Sequence, residues 1–319
     1  MCTAITIGSY AGRNLDIERS YGESLIITPR NYTLPFRKTS NISEHYAFFG
    51  IGTVSRGYPL YYDAANEHGL YMAGLNYVGY AKYHALHPSK VNLAPYELIP
   101  YLLSECKNTS EAKAKLNGIN LVDIPFSREL PTSELHFFIA DKDSALTVEP
   151  DEDGLSVYDN HVGVLANNPS FPYQLHNLTN YAGLSNGPLV NRISEKIDLK
   201  AYSKGMGALG LPGDLSSQSR FIRAVIHRLN YVYSGHPCDI FNLLATVSMP
   251  EGSMKIGDLY ERTEYSSAVD LDNIIYYFKT YKSLSVTSHT LFSEDLFSKV
   301  LTCYPIASEY NVHTSSQFT

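Results

Sequence analysis

The sequence predicts an α+β protein, a four-layer αββα sandwich in which two antiparallel sheets are flanked by helices. Strand and helix patterns alternate in five blocks, with strands at both ends of the chain, and the helices carry apolar residues on one face. Stacking two sheets between two helix layers would bury all of these faces. The 319 residues are 44% hydrophobic and 12% aromatic, enough to build such a core, and we expect a single domain over residues 1–319.

Strands are predicted in three blocks. Residues 3–7 and 12–15 flank a short turn at Gly8-Ser9-Tyr10-Ala11, which indicates a hairpin. Residues 186–213 contain several Gly and Pro with weak periodicity, and we expect a long loop there. The other predicted strands are residues 24–28, 46–54, 60–63, 69–76, 135–140, 145–148, 155–158, 162–166, 265–270, 274–281 and 284–288.

Helix pairs are expected between the strand blocks. Ser110 and Asp239 are good capping residues for two of the helices, and Gly118 is a suitable stop signal. The apolar spacing of the longest helix places Phe221 and Val225 on one face. The predicted helices are residues 95–106, 110–116, 217–232 and 239–249.

Charge and cysteine usage argue against several classes of protein. The formal net charge is −7 with dispersed basic residues, whereas nucleic-acid binding needs a basic patch. No stretch approaches the roughly 18 apolar residues of a membrane span, and no signal-peptide pattern is visible. Four scattered cysteines without a C-x-x-C pair are typical of reduced cytosolic thiols. We therefore expect a cytoplasmic protein, and the absence of metal and nucleotide motifs predicts no bound metal or cofactor.

Cys2 is a candidate nucleophile. If Met1 is removed, this residue carries a thiol and a free α-amine, whose usual pKa of roughly 7.7–8.0 lets it accept a proton near neutral pH. A nucleophile activated by a terminal amine is a known device in covalent catalysis. A buried strand residue without a chemical role is the alternative interpretation.

Other polar residues fall where they could assist Cys2. Arg13 and Asp16 lie on the second arm of the predicted hairpin, beside Cys2, although a surface ion pair would look the same. Asn76 and Asn167 follow strands and could donate to an oxyanion, or simply form turns. Arg220 lies in the first turn of a helix, where a cation opposes the helix dipole.

Two further features have structural interpretations. Asp214 and the serines that follow it could cap the helix that starts near residue 217. His136 lies in an apolar strand and is expected to be a buried residue with its hydrogen bonds satisfied.

Taken in order, a set of segments resembles the choloylglycine hydrolase family of N-terminal-nucleophile hydrolases, which contains bile salt hydrolases and penicillin V acylases. The resemblance covers most of the chain and weakens after about Tyr281. Its segments are Met1-Cys2-Thr3, Gly12-Arg13-Asn14-Leu15-Asp16, Tyr21-Gly22-Glu23, Ile27-Thr28-Pro29-Arg30, Asn66-Glu67-His68-Gly69-Leu70, Ala73-Gly74-Leu75-Asn76, Leu135-His136, Ile139-Ala140-Asp141, Asn167-Asn168-Pro169 and residues 210–221.

The resemblance implies the αββα fold, self-removal of Met1, hydrolysis of a linear amide through a Cys2 thioester, and often a homotetramer. It implies that the Cys2 amine is the base, that Arg13 lies beside the thiol and that Asp16 orients the amine. The side chain of Asn167 and the backbone N–H of Asn76 would hold the oxyanion. Arg220 would support the nucleophile electrostatically.

The substrate class is inferred from Asn76. Similar bile salt hydrolases carry Asn at this place and typical penicillin V acylases carry Tyr, and Trp is absent from the chain. The resemblance therefore favours glycine- or taurine-conjugated bile salts as substrates. A penicillin V acylase, an N-acyl-homoserine lactone acylase and a non-catalytic binding protein of the same fold are the alternatives. Loops following Asp16, around Arg56-Gly57-Tyr58 and at residues 77–81 and 130–133 are candidates for gripping the substrate.

Overall fold

The computed structural model describes residues 1–306 and 309–310, and these form two large sheets, a small one and helices. The strands are β1 (Cys2–Ile7), β2 (Tyr10–Ile17), β3 (Ser24–Thr28), β4 (Phe48–Ser55), β5 (Tyr58–Asn66), β6 (Tyr71–Asn76), β7 (Val91–Leu93), β8 (Ile119–Leu121), β9 (Leu135–Ala140), β10 (Ala145–Asp151), β11 (Gly154–Asp159), β12 (Val164–Leu165), β13 (Met254–Ile256), β14 (Leu259–Asp270), β15 (Ile275–Thr280), β16 (Thr287–Thr290) and β17 (Thr302–Pro305). The α-helices are α1 (Leu98–Glu105), α2 (Thr109–Leu116), α3 (Phe171–Leu178), α4 (Ser217–Asn230) and α5 (Cys238–Ala245).

Both large sheets are antiparallel. One has the strand order β12-β1-β2-β14-β15-β16, with β13 paired to β14, and the other has the order β11-β10-β9-β6-β5-β4-β3-β17. Strand β1 is second from one edge of the first sheet and lies between β2 and the short strand β12. Strand β12 pairs only with Ala4 and Ile5, so Cys2 has β2 on one side and Asn167, which follows β12, on the other.

Alternate side chains of a strand point to opposite faces of its sheet, and this alternation separates the two apolar clusters of the sandwich. In β6, Tyr71 and Ala73 belong to the apolar cluster shared with the first sheet, α4 and α5, whereas Met72 belongs to the cluster shared with α1 and α2. Successive strand residues point to opposite faces of a sheet, so the second sheet contacts the first sheet on one face and helices on the other. This confirms the predicted αββα sandwich.

Several predicted boundaries are wrong. The N-cap of α2 is Asn108, whose side chain accepts from the Glu111 N–H, instead of Ser110. Helix α5 begins one residue before Asp239, and this carboxylate instead accepts from the Ser234 hydroxyl at 2.9 Å. The first hairpin turn contains only Gly8 and Ser9.

Five elements have no counterpart in the sequence predictions, namely α3, β7, β8, β13 and β17. Four of them are strands of only three or four residues. Such segments are too short for the two-residue periodicity that indicates a strand. The predicted loop at residues 186–213 is irregular apart from a short 3₁₀ turn at Met206–Ala208.

Candidate active site

Cys2 lies between the two sheets and is only 3% exposed. It pairs with Leu15 across the β1–β2 hairpin. Its Sγ accepts a hydrogen bond from Arg13 Nη2 at 2.5 Å. A permanent cation in contact with sulfur favours the thiolate over the thiol.

Arg13 is held in a fixed orientation by the second sheet. Its Nη1 donates to the carbonyl oxygens of Tyr62 at 2.9 Å and Gly74 at 2.6 Å, and the residue is fully buried. Burial lowers the pKa of Arg13, but the negative charges of Cys2, Tyr265 and Asp63 in their ionised forms outweigh it and raise the pKa overall. The guanidinium is therefore a constant positive charge at the thiol.

Asn167 connects Cys2 to Asn76. Its Oδ1 accepts from the Cys2 N–H at 2.8 Å and from Arg220 Nη2 at 2.7 Å, while its Nδ2 donates to the Asn76 carbonyl at 2.7 Å. Its own N–H donates to Ser217 Oγ at 2.8 Å. A primary amide carries two N–H donors, so the second Nδ2 hydrogen is available for another acceptor.

Arg220 contacts the main chain of Cys2, whereas Arg13 contacts the Cys2 thiol. Its Nη1 donates to the Cys2 carbonyl and to Thr3 Oγ1, both at 2.5 Å. Burial lowers the pKa of Arg220, partly opposed by the charge of Asp16. Arg220 thereby fixes the position of Cys2 along β1.

Asp16 has one satisfied and one free carboxylate oxygen. Oδ1 accepts from Thr263 Oγ1 at 2.6 Å, whereas Oδ2, 4.0 Å from Arg220 Nη1, has no hydrogen-bond partner among the described residues. A buried carboxylate oxygen without a donor is unfavourable. This oxygen can therefore accept a further N–H.

The α-amine of Met1 lies beside two acidic residues. It donates to the Asp16 carbonyl at 2.5 Å and to Glu261 Oε1 at 2.9 Å. Burial raises the pKa of Glu261, and the Met1 ammonium opposes this rise. While Met1 is attached, the Cys2 nitrogen is an amide and cannot act as a base.

The six site residues expected from the sequence, Cys2, Arg13, Asp16, Asn76, Asn167 and Arg220, lie in one linked cluster. Sequence reasoning missed three neighbours that hold the cluster: Thr263, Glu261 and Ser217. Thr263 and Glu261 lie in no motif and are brought in by the β2–β14 pairing, whereas Ser217 lies in the 210–221 segment but was expected only to help cap the helix. His136 is buried and bonded to the Ala166 carbonyl at 2.9 Å, as predicted.

The candidate substrate loops surround one end of the second sheet. Asn76 ends β6, and the neighbouring antiparallel strand β5 begins after the Arg56-Gly57 turn, so both lie at the same end. Arg56 forms an exposed ion pair with Glu129 at 3.7 Å, joining two loops. Val78 is 61% exposed beyond Asn76. An apolar side chain is therefore available near the site.

The residues that the structure describes contain no group of three or more His, Cys, Asp or Glu side chains that could hold a metal ion. None of their helices has the length and apolar character to cross a membrane.

Comparison with solved structures supports the fold. A cysteine-to-alanine variant of conjugated bile acid hydrolase from Clostridium perfringens matches with a TM-score of 0.93 at 31% identity, covering 99% of this chain and 100% of that one. Penicillin V acylase from Agrobacterium tumefaciens matches with a TM-score of 0.74 at 19% identity, covering 95% and 90%. At that lower identity, the likeness to the acylase concerns the fold alone.

Sequence comparison extends over nearly the whole chain. A bile salt hydrolase/transferase of Lactiplantibacillus plantarum is 49% identical over 317 residues, which is 97% of this chain and 98% of the relative. A conjugated bile acid hydrolase of Lactobacillus gasseri is 35% identical, over 95% and 100%. The model of the family described as linear amide C–N hydrolases, choloylglycine hydrolase family, matches residues 2–308. The chain therefore belongs to the choloylglycine hydrolase family and is a hydrolase of linear amide C–N bonds.

Proposed function

We propose that this protein hydrolyses the amide bond of glycine- or taurine-conjugated bile salts through a Cys2 thioester. The contact between Cys2 Sγ and the buried Arg13 guanidinium carries the proposal, because it prepares a thiolate at the second residue of the chain. The substrate class is supported by the names of the relatives at 49% and 35% identity and by Asn76.

The proposed reaction begins after Met1 has been removed. The Cys2 amine accepts the thiol proton, and the thiolate forms a bond to the amide carbon. The C–N bond then breaks and the amine delivers the proton to the leaving nitrogen. Water attacks the thioester, the C–S bond breaks, and the proton returns through the amine to sulfur, which releases the bile acid.

We assign the remaining residues by what they can donate or accept. The free Nδ2 hydrogen of Asn167 and the backbone N–H of Asn76 stabilise the tetrahedral oxyanion. Asp16 Oδ2, which lacks a donor while Met1 is attached, accepts from the liberated Cys2 amine and orients it. Arg220 holds the Cys2 carbonyl.

Substrate comparison distinguishes a bile salt hydrolase from the two acylase alternatives. Glycine or taurine released from conjugated bile salts is measured against side-chain acid released from penicillin V and acid released from an N-acyl-homoserine lactone. We expect the bile salt to give the highest kcat/KM. A faster reaction with penicillin V or the lactone would reassign the substrate and leave the Cys2 mechanism in place.

The Cys2→Ala variant tests the mechanism. We expect hydrolysis to fall by at least about a thousandfold, since removing a nucleophile typically costs this much or more, with an unchanged circular dichroism spectrum. Cys238→Ser is the matched control, because Cys238 is exposed. Surviving activity in the Ala variant, or an intact mass that retains Met1 in active enzyme, would contradict the mechanism. A folded wild-type chain inactive on all these substrates would instead favour a non-catalytic binding protein.

We also propose that residues 1–319 form one domain that assembles as a homotetramer in the cytoplasm. The domain assignment is supported by β17, which pairs with β3 and joins the end of the described chain to its beginning. Exposed apolar side chains on the 186–213 loop, including Ile193 at 77% and Tyr202 at 83% exposure, support assembly. The four free cysteines are typical of a reducing compartment.

A further inference from the structure

Asp63 is a fully buried carboxylate between the two sheets. Its Oδ1 accepts from Tyr265 OH at 2.5 Å, and its Oδ2 accepts from Tyr276 OH at 2.6 Å and Ser267 Oγ at 2.9 Å, with Tyr71 OH at 3.3 Å. Hydroxyl donors converging on one carboxyl group favour its ionised form. These donors therefore oppose the effect of burial, which raises the pKa of Asp63.

The Asp63 carboxyl group lies near the cation that contacts Cys2. Arg13 is bonded to the carbonyl of Tyr62, the residue preceding Asp63, and Ser267, which donates to Asp63, is paired with Arg13 across β2 and β14. Within the described residues, Arg13 has no direct salt bridge. Three backbone carbonyls hold the guanidinium in place, so its position does not depend on a carboxylate.

We propose that Asp63 is a positioning residue for the reaction, balancing the buried charge of Arg13 and thereby setting the acidity of the Cys2 thiol. Asp63 touches neither substrate nor sulfur and acts through Arg13. A cation without a counter-charge would hold the thiolate at lower pH and reduce its nucleophilicity, since nucleophilicity falls as the thiol pKa falls. This inference rests on the proposed Cys2 chemistry.

Other charged groups also face this region. Asp16 on β2, Arg220 on α4 and Glu261 on β14 lie around the main chain of Cys2. Tyr71, Tyr265 and Tyr276 surround Asp63, and burial raises the pKa of all three well above the usual range. Burial also raises the pKa of Asp63, opposed by Arg13 and the hydroxyl donors. The tyrosines thus remain neutral donors over the pH range in which the thiol titrates.

The Asp63→Asn variant tests the proposal by removing the charge while keeping the shape. The rate of Cys2 alkylation by iodoacetamide is followed against pH in the processed chain, with Cys238→Ser and Cys303→Ser in the background because both cysteines are exposed. We expect the midpoint to move down by about one pH unit, as Coulomb's law gives for a charge several ångströms away in partly polar surroundings. The acidic limb of the pH profile of kcat/KM should shift in the same direction, and KM should stay unchanged.

Controls separate a charge effect from a loss of packing. Asp239→Asn alters another buried carboxylate, which lies in α5 and accepts from Ser234, and should leave the midpoint unchanged. Asp63→Ser removes the same charge with a smaller polar side chain and should also lower the midpoint, which keeps the test available if Asp63→Asn does not fold. An unchanged or higher midpoint of the alkylation pH profile in the Asp63 variants would overturn the proposal. Alkylation uses no substrate, so this outcome is independent of the proposed substrate.

Discussion

Asn167 connects Cys2 to Arg220 and Asn76 through one amide group. Its oxygen accepts from Cys2 and Arg220 and its nitrogen donates to Asn76. Asn168 is next in the sequence, yet its side chain is partly exposed and makes none of these contacts. Two adjacent asparagines therefore differ entirely in their surroundings.

This difference gives a residue-scale prediction. Asn167→Ala should lower kcat by about a hundredfold to a thousandfold, the usual cost of losing one oxyanion donor, because the remaining Asn76 N–H cannot replace it. Steady-state kinetics on a conjugated bile salt provide the measurement. Asn168→Ala is the matched control and should retain near-normal kcat; equal losses in the two variants would remove the assignment.

At the scale of elements, the start of α4 brings Arg220 to Cys2. Ser216 caps the helix by accepting from the Ser219 N–H, and Asp214 accepts from Ser216 N–H at 2.9 Å and Ser219 Oγ at 2.5 Å. The capping role expected from the sequence is thus confirmed. The same turn presents Ser217 to Asn167, so the cap and the candidate active site share one short segment.

The pH dependence of this cap is predictable. Hydrogen bonds from Ser216 and Ser219 lower the pKa of Asp214 from 3.8 to about 2. Because the pKa is lower in the folded state, Asp214 stabilises the fold above about pH 4, and this contribution disappears as the pH falls through about 2. Asp214→Asn should therefore lower the unfolding free energy at neutral pH by about 0.5 kcal/mol, a small value because the group is exposed to solvent.

Urea denaturation of both proteins between about pH 7 and pH 3 measures this difference. It should shrink below about pH 4, whereas Asp258→Asn, at an exposed turn before β14, should have no such effect. A difference that persists unchanged at acid pH would show that packing, not charge, is responsible.

For the whole molecule, the exposed apolar loop predicts assembly. Monomeric proteins rarely expose extended apolar patches, and Val190, Ile193 and Tyr202 are 61%, 77% and 83% exposed. Light scattering after gel filtration should give four times the chain mass of 35.6 kDa. Ile193→Asp should reduce this mass, and Val232→Asp, at an 88% exposed position in the segment after α4 and outside the 186–213 loop, should not. A wild-type monomer would exclude the tetramer.

The sequence by itself determined the layered fold, the hairpin that brings Arg13 to Cys2, and the cap at the start of α4. These features depend on local periodicity and on residues close together in the chain. Asp16, Asn76, Asn167 and Arg220 were candidates from their positions on the hairpin, at strand ends and at a helix start, and the family resemblance implied their roles. The resemblance also indicated the chemistry, because the order of its motifs is preserved along the chain.

Only the tertiary structure decided which atoms meet. It directed Arg220 to the main chain of Cys2, left Asp16 Oδ2 without a donor among the described residues, and placed Asp63 near Arg13. Asp63 lies 50 residues after Arg13, and Glu261 and Thr263 lie nearly 250 residues after Asp16. Such contacts arise from strand pairing and sheet stacking, in which each partner is an ordinary polar residue until the second sheet or a neighbouring strand buries it.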